Sequence, residues 1–185
     1  MKNNILTLII GESGVGKTTI ADYLEKTFGL KQVFSYTNRP PRSDNEIGHT
    51  FIGEQDISKI KEMFPNRVAE TEYSGHFYFA TNEQMEDCDV YVINPSAIEE
   101  IKRKYKGRKT IKVVLIEDTP VNRVMHMLKR GDSIDSIMKR LSWDRKEFKN
   151  ARNLADYVVA NTGVERTARA IRNAVWGWNV IASET

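Results

Sequence analysis

Residues 11–18 read Gly-Glu-Ser-Gly-Val-Gly-Lys-Thr and match the pattern G-x-x-x-x-G-K-[ST] at every fixed position. Glycine backbones allow such a loop to fold around an anion with its amides pointing inward. Lys17 adds a positive charge for the β- and γ-phosphates, and the Thr18 hydroxyl can ligate the magnesium ion that accompanies them. The pattern predicts a triphosphate site formed by Gly11, Ser13, Gly14, Val15, Gly16, Lys17, Thr18 and Thr19.

The sequence on both sides of this loop supports the prediction. Residues 5–10 are an apolar run of strand length, and Ile20, Leu24 and Phe28 repeat at helical spacing before Gly29. The loop therefore lies between a strand and the N-terminus of a helix, whose partial positive charge attracts anions. This is the context that the phosphate-binding pattern requires.

Length and composition limit the kinds of protein that this chain can be. With 185 residues, 40% of them hydrophobic, it is the size of one ordinary domain. The net charge of +3 does not indicate a nucleic-acid partner. Cys88 is the only cysteine, which excludes an intrachain disulfide and favours a reducing cytosol. The first apolar run is too short for a membrane span or a signal peptide, so we expect a cytoplasmic protein with no membrane partner.

Apolar runs alternate with helical patterns along the rest of the chain. Residues 90–93 and 111–116 are continuous apolar runs typical of strands buried on both faces, and each precedes a helical pattern. A last strand is expected at residues 157–160, followed by a helix from Val164. This alternation predicts an α/β fold with a doubly wound parallel sheet, whose ligands bind at the carboxyl ends of the strands.

A polar segment and two short strands separate the first helix from residues 90–93. Arg39 and Arg42 flank Pro40-Pro41, which keeps the chain extended, so the two guanidinium groups could hold one phosphate. A solvated loop with scattered charge explains the same pattern equally well. Phe77 and Phe79 share one side of the second strand, and this spacing favours a small core over a site that stacks on a flat base.

Two helices joined at Gly131 are predicted between residues 120 and 148. We expect Val121, Val124, Met125 and Leu128 to form the buried stripe of the first, and Ile134, Ile137, Met138, Leu141 and Phe148 that of the second. Arg130 and Arg140 lie off these stripes. The pair could be a mobile lid over phosphates, or two basic surface helices. We expect Trp143 to pack in the interior.

These segments occur in one order along the chain. The loop is followed by Ser-Tyr-Thr-Asn-Arg-Pro-Pro-Arg at residues 35–42, by Ser-Gly-His-Phe-Tyr at 74–78, and by Lys-Arg-Gly at 129–131 and Lys-Arg-Leu at 139–141. The set resembles the guanylate kinase family over about residues 5 to 175. The resemblance implies a single domain over 1–185, with a P-loop core at 1–32, 84–119 and 146–185, an acceptor-binding insert at 33–83 and a helical lid at 120–145.

The resemblance also implies a function and a set of site residues. It indicates an ATP- and Mg²⁺-dependent nucleoside monophosphate kinase acting on GMP or dGMP, as a monomer or homodimer. Its catalytic residues would be Lys17, Arg39, Arg130 and Arg140. The acceptor would be bound by Ser35, Arg39, Arg42, Glu70, Tyr78 and Asn94, the adenine of ATP by Asn161, and the metal by Thr18.

The sequence departs from the family pattern at the positions where guanylate kinases recognise the guanine base. Ala69 stands at the position of a guanine-reading glutamate, with Glu70 beside it, and Val92 and Asn94 replace two aspartates. An asparagine amide donates as well as accepts, so base preference can differ. Alternative acceptors are another (deoxy)nucleoside monophosphate or a phosphorylated ribose. A non-catalytic binding module of the same fold is a third alternative, although the complete phosphate loop argues against it.

Overall fold

A computed structural model describes residues 4–41, 48–73 and 75–177 of the chain. Its strands are β1 (Ile5–Ile10), β2 (Ser35–Thr37), β3 (His49–Phe51), β4 (Arg67–Tyr73), β5 (His76–Thr81), β6 (Val90–Val92), β7 (Thr110–Glu117) and β8 (Tyr157–Ala160). Its helices are α1 (Lys17–Phe28), α2 (Ile57–Met63), α3 (Asn82–Asp87), α4 (Ala97–Lys104), α5 (Pro120–Lys129), α6 (Ile134–Glu147), α7 (Ala151–Leu154) and α8 (Val164–Trp176).

The core is a four-stranded parallel sheet in the order β6-β1-β7-β8. Alternate residues of β1 point to opposite faces, so Leu6 and Leu8 join one apolar cluster and Ile9 joins the other. The first cluster is completed by α4, and the second by α1 and α8. Helices cover both faces of the sheet, which confirms the predicted α/β doubly wound architecture.

A second sheet, in the order β3-β2-β5-β4, is formed by residues 35–81. Phe77 and Phe79 are buried together with Ile60 of α2, so these aromatic rings form a small core, as their spacing predicted. A bulge interrupts the pairing of β4 with β5 between Val68 and Thr71. Within it, Ala69 has φ +57°, the one positive φ of a residue other than glycine in the described part of the chain.

The second sheet is joined to the core by two neighbouring segments of chain. One leads from Val33 into β2, and the other leads from β5 into α3. Gln84 of α3 donates a hydrogen bond from Nε2 to the carbonyl oxygen of Phe34 at 3.0 Å, which ties the two segments together. Thr81 begins α3 with a reciprocal capping arrangement in which its hydroxyl accepts from the Gln84 backbone amide.

The predicted buried stripe of α5 is wrong. Val121, Met125 and Leu128 are exposed, whereas Arg123 and Met127, which are four residues apart, face the interior. On α6, Ile137 is buried as expected, but Ile134 and Met138 are exposed. Trp143 was expected in the interior and is instead 42% exposed. None of the described helices has both the length and the apolarity to cross a lipid bilayer.

Candidate active site

The phosphate loop connects the carboxyl end of β1 to the first turn of α1. Gly14 and Gly16 have φ of +80° and +88°, which side chains with a Cβ adopt only with strain. A Cβ on Gly14 would lie 2.4 Å from the carbonyl oxygen of Arg123, and one on Gly11 would lie 2.7 Å from that of Ile116. The loop therefore needs glycine both for its backbone conformation and for its contact with neighbouring elements.

The Lys17 side chain lies across the phosphate loop. Its ammonium group donates hydrogen bonds to the carbonyl oxygens of Gly11 and, at 3.2 Å, of Glu12. Burial lowers the pKa of Lys17 to about 8; Asp144 opposes the shift, while Arg123, Arg130 and Arg140 add to it. Three arginines of the two helices after β7 are thus close enough to act on the charge of Lys17.

Three successive carbonyl groups of the loop are held by side chains from outside it. The carbonyl oxygen of Ser13 accepts from Arg123 Nε at 3.0 Å, that of Gly14 pairs with His126 Nδ1 at 2.9 Å, and that of Val15 accepts from Asn161 Nδ2 at 3.0 Å. The C=O and N–H of a trans peptide point in opposite directions. The carbonyls of Ser13 and Val15 share their peptide groups with the amides of Gly14 and Gly16. Because these carbonyls are held on one side of the loop, the two amides point to the other side.

The two catalytic arginines predicted in the lid, Arg130 and Arg140, differ in their surroundings. Arg130, at the end of α5, forms an ion pair with Asp132, and its side chain is 57% exposed. Arg140 of α6 is half-buried, and within the described ranges no acceptor lies within hydrogen-bond reach of its Nε. Both are close enough to Lys17 to lower its pKa.

The acceptor-binding residues predicted on β2 and β5 lie close together, because these strands pair with Thr37 opposite Tyr78. Arg39 is buried, donates from Nη1 to the carbonyl oxygen of Pro40 at 2.8 Å, and has its guanidinium 5.3 Å from the centre of the Phe51 ring. The ring of Tyr78, half-buried, lies 5.4 Å from that of His49. Arg42 lies outside the described residues.

Ser35, at the start of β2, is hydrogen-bonded through its hydroxyl to the hydroxyl of Tyr91 on β6, at 2.8 Å. Burial raises the pKa of Tyr91 to about 12, although the Ser35 hydrogen bond opposes the shift. Tyr91 therefore stays protonated at physiological pH. The pair links the second sheet to the core at the edge where the acceptor is expected.

Similarity to known proteins agrees with this architecture. A guanylate kinase of Thermus thermophilus is 30% identical to this chain over 170 residues, which are 86% of the chain and 75% of the relative. The chain belongs to the guanylate kinase family. A guanylate kinase of Mycoplasmoides gallisepticum is 28% identical over 96% of the chain and 95% of its own length.

The crystal structure of guanylate kinase from Anaplasma phagocytophilum shares the fold, with a TM-score of 0.62 at 14% identity over 94% of this chain and 85% of that one. No protein-family model matches the sequence. Membership of the guanylate kinase family, expected from the order of the motifs, and the P-loop α/β fold, expected from the alternation of strands and helices, are confirmed. The roles of individual site residues stay predictions.

The segment expected to read the base, around Glu70, contains an ion-pair network. Glu70 forms ion pairs with Lys104 at 3.1 Å and Arg67 at 3.5 Å, and its amide donates to the Glu100 carboxylate at 3.0 Å. Burial raises the pKa of Glu70, but the Lys104 hydrogen bond and the nearby cations outweigh it, so the net shift is downward. The Glu70 carboxylate is thus ionised and already paired with cations.

The remaining predicted residues lie where the core elements begin or end. Thr18 and Thr19 are exposed in the first turn of α1. Asn94 is half-buried just after β6, and its carbonyl oxygen accepts from the Ala97 amide at 3.1 Å. Asn161 follows β8, and in addition to its contact with Val15, its Oδ1 accepts from the Thr167 hydroxyl at 3.2 Å.

Sequence reasoning missed four side chains that shape the site: Arg123, His126, Asp144 and Tyr91. The first three contact the phosphate loop, and the fourth contacts Ser35. Arg123 lies outside the apolar stripe predicted for α5, so helical spacing gives no reason to expect it in the interior. No local pattern distinguishes a buried, paired arginine from a solvated one, because its partners lie more than twenty residues away in sequence.

Proposed function

We propose that this guanylate kinase family member transfers the γ-phosphoryl group of ATP to GMP or dGMP, giving ADP and GDP or dGDP. The observation that carries the proposal is the complete phosphate loop, whose Lys17 lies within electrostatic reach of Arg130 and Arg140. The second sheet supplies Arg39 and Tyr78 for the acceptor. The relatives named above, all guanylate kinases, support the choice of GMP.

The proposed reaction is an in-line displacement that needs little covalent work from the protein. An oxygen of the acceptor monophosphate forms a bond to the γ-phosphorus, while the bond from that phosphorus to the β,γ-bridging oxygen breaks and ADP departs. Lys17 and the inward amides of the loop neutralise the β- and γ-phosphates. Arg130 and Arg140 stabilise the charge on the group in transfer, and Arg39, with Arg42, orients the acceptor phosphate.

Magnesium fits this site through a single protein ligand. The Thr18 side chain is exposed at the end of the loop, beside Lys17, and can supply one hydroxyl oxygen. In the part of the chain that the structure describes, no cluster of three or more His, Cys, Asp or Glu side chains could hold a metal ion. Mg²⁺ in kinase sites keeps water and phosphate oxygens as most of its ligands, and it would neutralise phosphate charge.

The residues expected to read the acceptor base differ from those of the family pattern. Ala69 has no hydrogen-bonding side chain, and the Glu70 carboxylate is paired with Lys104 and Arg67. Recognition of guanine would require Glu70 to exchange one of these cations for the base, or Asn94 to take over the reading. This observation favours a test with several acceptors, including a phosphorylated ribose.

The test is a coupled ADP-release assay with MgATP and each of GMP, dGMP, AMP, CMP, UMP, dTMP and ribose 1,5-bisphosphate. Turnover confined to GMP and dGMP is the expected result. Activity on a different acceptor would overturn the proposed specificity. ATP binding without turnover on any acceptor would contradict the proposed reaction, and failure to bind ATP would indicate a non-catalytic module. Lys17→Met serves as the control for contaminating kinases, since it should abolish the signal.

We further propose a cytosolic location, because a chain with Cys88 as its only cysteine has no intrachain disulfide to maintain in an oxidising compartment.

A further inference from the structure

Two oppositely charged side chains are buried beneath the phosphate loop. Arg123 of α5 is 4% exposed as a residue, and Asp144 of α6 is 1% exposed. Charged groups are rarely buried to this extent unless they are paired and hydrogen-bonded, because removing them from water is costly. Neither belongs to the residues assigned above to ATP, the acceptor or the metal.

Most of their hydrogen bonds to the loop involve one residue, Ser13. Arg123 donates from Nη2 to Asp144 at 2.8 Å and from Nε to the Ser13 carbonyl oxygen at 3.0 Å, and its Nη1 contacts the Glu12 carboxylate. Asp144 also accepts from the Ser13 amide at 2.8 Å and from the Ser13 hydroxyl at 3.1 Å. The amide, carbonyl and side chain of Ser13 are thus all held by this pair.

These hydrogen bonds determine the orientation of the Ser13–Gly14 peptide group. The carbonyl of Ser13 and the amide of Gly14 belong to one planar trans peptide and point in opposite directions. With the carbonyl directed toward Arg123, the Gly14 amide is directed away from α5. The backbone of α5 is in direct contact at this point, since a Cβ on Gly14 would lie 2.4 Å from the Arg123 carbonyl oxygen.

We propose that Arg123, oriented by Asp144, is a positioning residue that fixes the Ser13–Gly14 peptide so that the Gly14 amide faces the bound phosphates. The pair also joins the phosphate loop to α5 and α6, the helices that carry Arg130 and Arg140. Loop geometry and the placement of the two lid arginines are therefore set by one buried group. The proposal rests on the nucleotide-kinase function proposed above, but not on the identity of the acceptor.

This positioning role predicts that loss of Arg123 affects the binding of the nucleotide and of the acceptor differently. Loss of the Ser13 contact should weaken binding of the nucleotide that lies on the loop, whereas the acceptor site on the second sheet should keep its affinity. A merely structural role would lower the melting temperature and reduce the fraction of active protein, and it would leave both affinities unchanged in the molecules that are folded.

Arg123→Lys is the main variant, because it keeps the charge beside Asp144 and removes the guanidinium nitrogen that bonds to Ser13. Arg123→Leu alone would leave Asp144 buried without its cation and risks unfolding. The double variant Arg123→Leu/Asp144→Leu removes both charges together, which buried pairs often tolerate. Arg103→Leu, at an exposed position of α4, is the matched control for the loss of an arginine.

The measurements are the Kd of MgADP by titration calorimetry, the KM of the acceptor, and the melting temperature of each variant. We expect Arg123→Lys and the double variant to raise the Kd of MgADP by about tenfold or more, with the acceptor KM within about twofold of the parent. Arg103→Leu should change neither.

A Kd of MgADP within about twofold of the parent in Arg123→Lys would overturn the proposal, as would equal weakening of ADP and acceptor. Normal ADP binding by a folded double variant would overturn it as well. If the parent chain binds MgADP but phosphorylates no acceptor, the proposed function fails while the ADP titrations still decide the role of Arg123.

Discussion

Lys17 carries a charge that its surroundings make easy to remove. Burial and three neighbouring arginines favour its neutral form, and Asp144 opposes them. A bound triphosphate would reverse this balance by surrounding the ammonium group with negative charge. The free protein is therefore the state in which the titration of Lys17 can be observed.

This balance predicts the pH dependence of nucleotide capture. Lys17 is protonated below its pKa of about 8 and neutral above it, so kcat/KM for MgATP should be level near neutrality and fall as pH rises through about 8. Initial rates at saturating acceptor between about pH 6 and 10 provide the measurement. A profile that stays level to about pH 10 would show that Lys17 keeps its charge in the protein without bound ATP.

Arg130 should matter for the chemical step and little for folding. Its side chain is 57% exposed and pairs with Asp132 on the surface, so truncation leaves no buried charge. If Arg130 stabilises the phosphoryl group in transfer, Arg130→Ala should lower kcat by about a thousandfold or more. Single-turnover rates with the purified variant measure this effect.

Lys129→Ala, at the exposed neighbouring position, is the matched control and should keep the parent rate. An unchanged rate in a folded Arg130→Ala protein would remove Arg130 from the mechanism. A loss shared equally by both variants would indicate that α5 tolerates no change at its end.

At the scale of elements, two glycines distinguish the effect of the contact between the phosphate loop and α5 from the effect of backbone strain. Gly14 and Gly29 both have positive φ, +80° and +67°, but only Gly14 would bring a Cβ against a neighbouring backbone. Gly14→Ala should therefore raise the Kd of MgADP by at least about tenfold, because the loop must move away from α5.

Gly29→Ala is the control for the strain of an alanine at positive φ. It should lower the free energy of unfolding by about 1 kcal/mol and leave ADP binding unchanged. Calorimetric titration and urea denaturation of both variants test this pair. Equal affinities for ADP in the two variants would contradict the importance of the α5 contact.

The bulge in β4 holds an alanine in a strained backbone conformation, and the free energy of this strain can be measured. Ala69 has φ +57°, a conformation that glycine adopts without strain, so Ala69→Gly should raise the free energy of unfolding by up to about 1 kcal/mol. Urea denaturation with an unchanged m-value measures the gain. Ala80→Gly in β5, which lacks positive φ, should instead destabilise the protein. A loss in both variants would show that Ala69 is not strained.

For the molecule as a whole, the sequence allowed accurate prediction wherever local patterns determine structure. The apolar runs became β1, β6 and β7, and Tyr157–Ala160 is a strand with the expected bounds. These elements could be predicted because strand burial and helix ends depend on residues a few positions apart. The loop, the fold class and the family followed from the order of such segments.

What could not be predicted depends on pairs that are distant in sequence. The expected buried stripe of α5 was wrong because Arg123, although charged, finds partners at Ser13 and Asp144, 110 and 21 residues away. Likewise, the ion pair of Glu70 with Lys104 spans 34 residues and exists because α4 packs against β4. Neither pairing leaves a periodic pattern that could be read from neighbouring residues.

The course of the chain through the second sheet has a consequence for how such a protein can change over evolution. The chain enters and leaves this sheet through neighbouring segments that are tied together by the Gln84–Phe34 hydrogen bond. A unit whose two ends lie side by side can be exchanged for another without disturbing its host. Replacement of residues 35–81 by a homologous segment, with Asn94 and the contact residues Tyr91, Glu100 and Lys104 exchanged to match, should therefore transfer acceptor preference, while the phosphate loop and its buried Arg123–Asp144 support stay with the recipient.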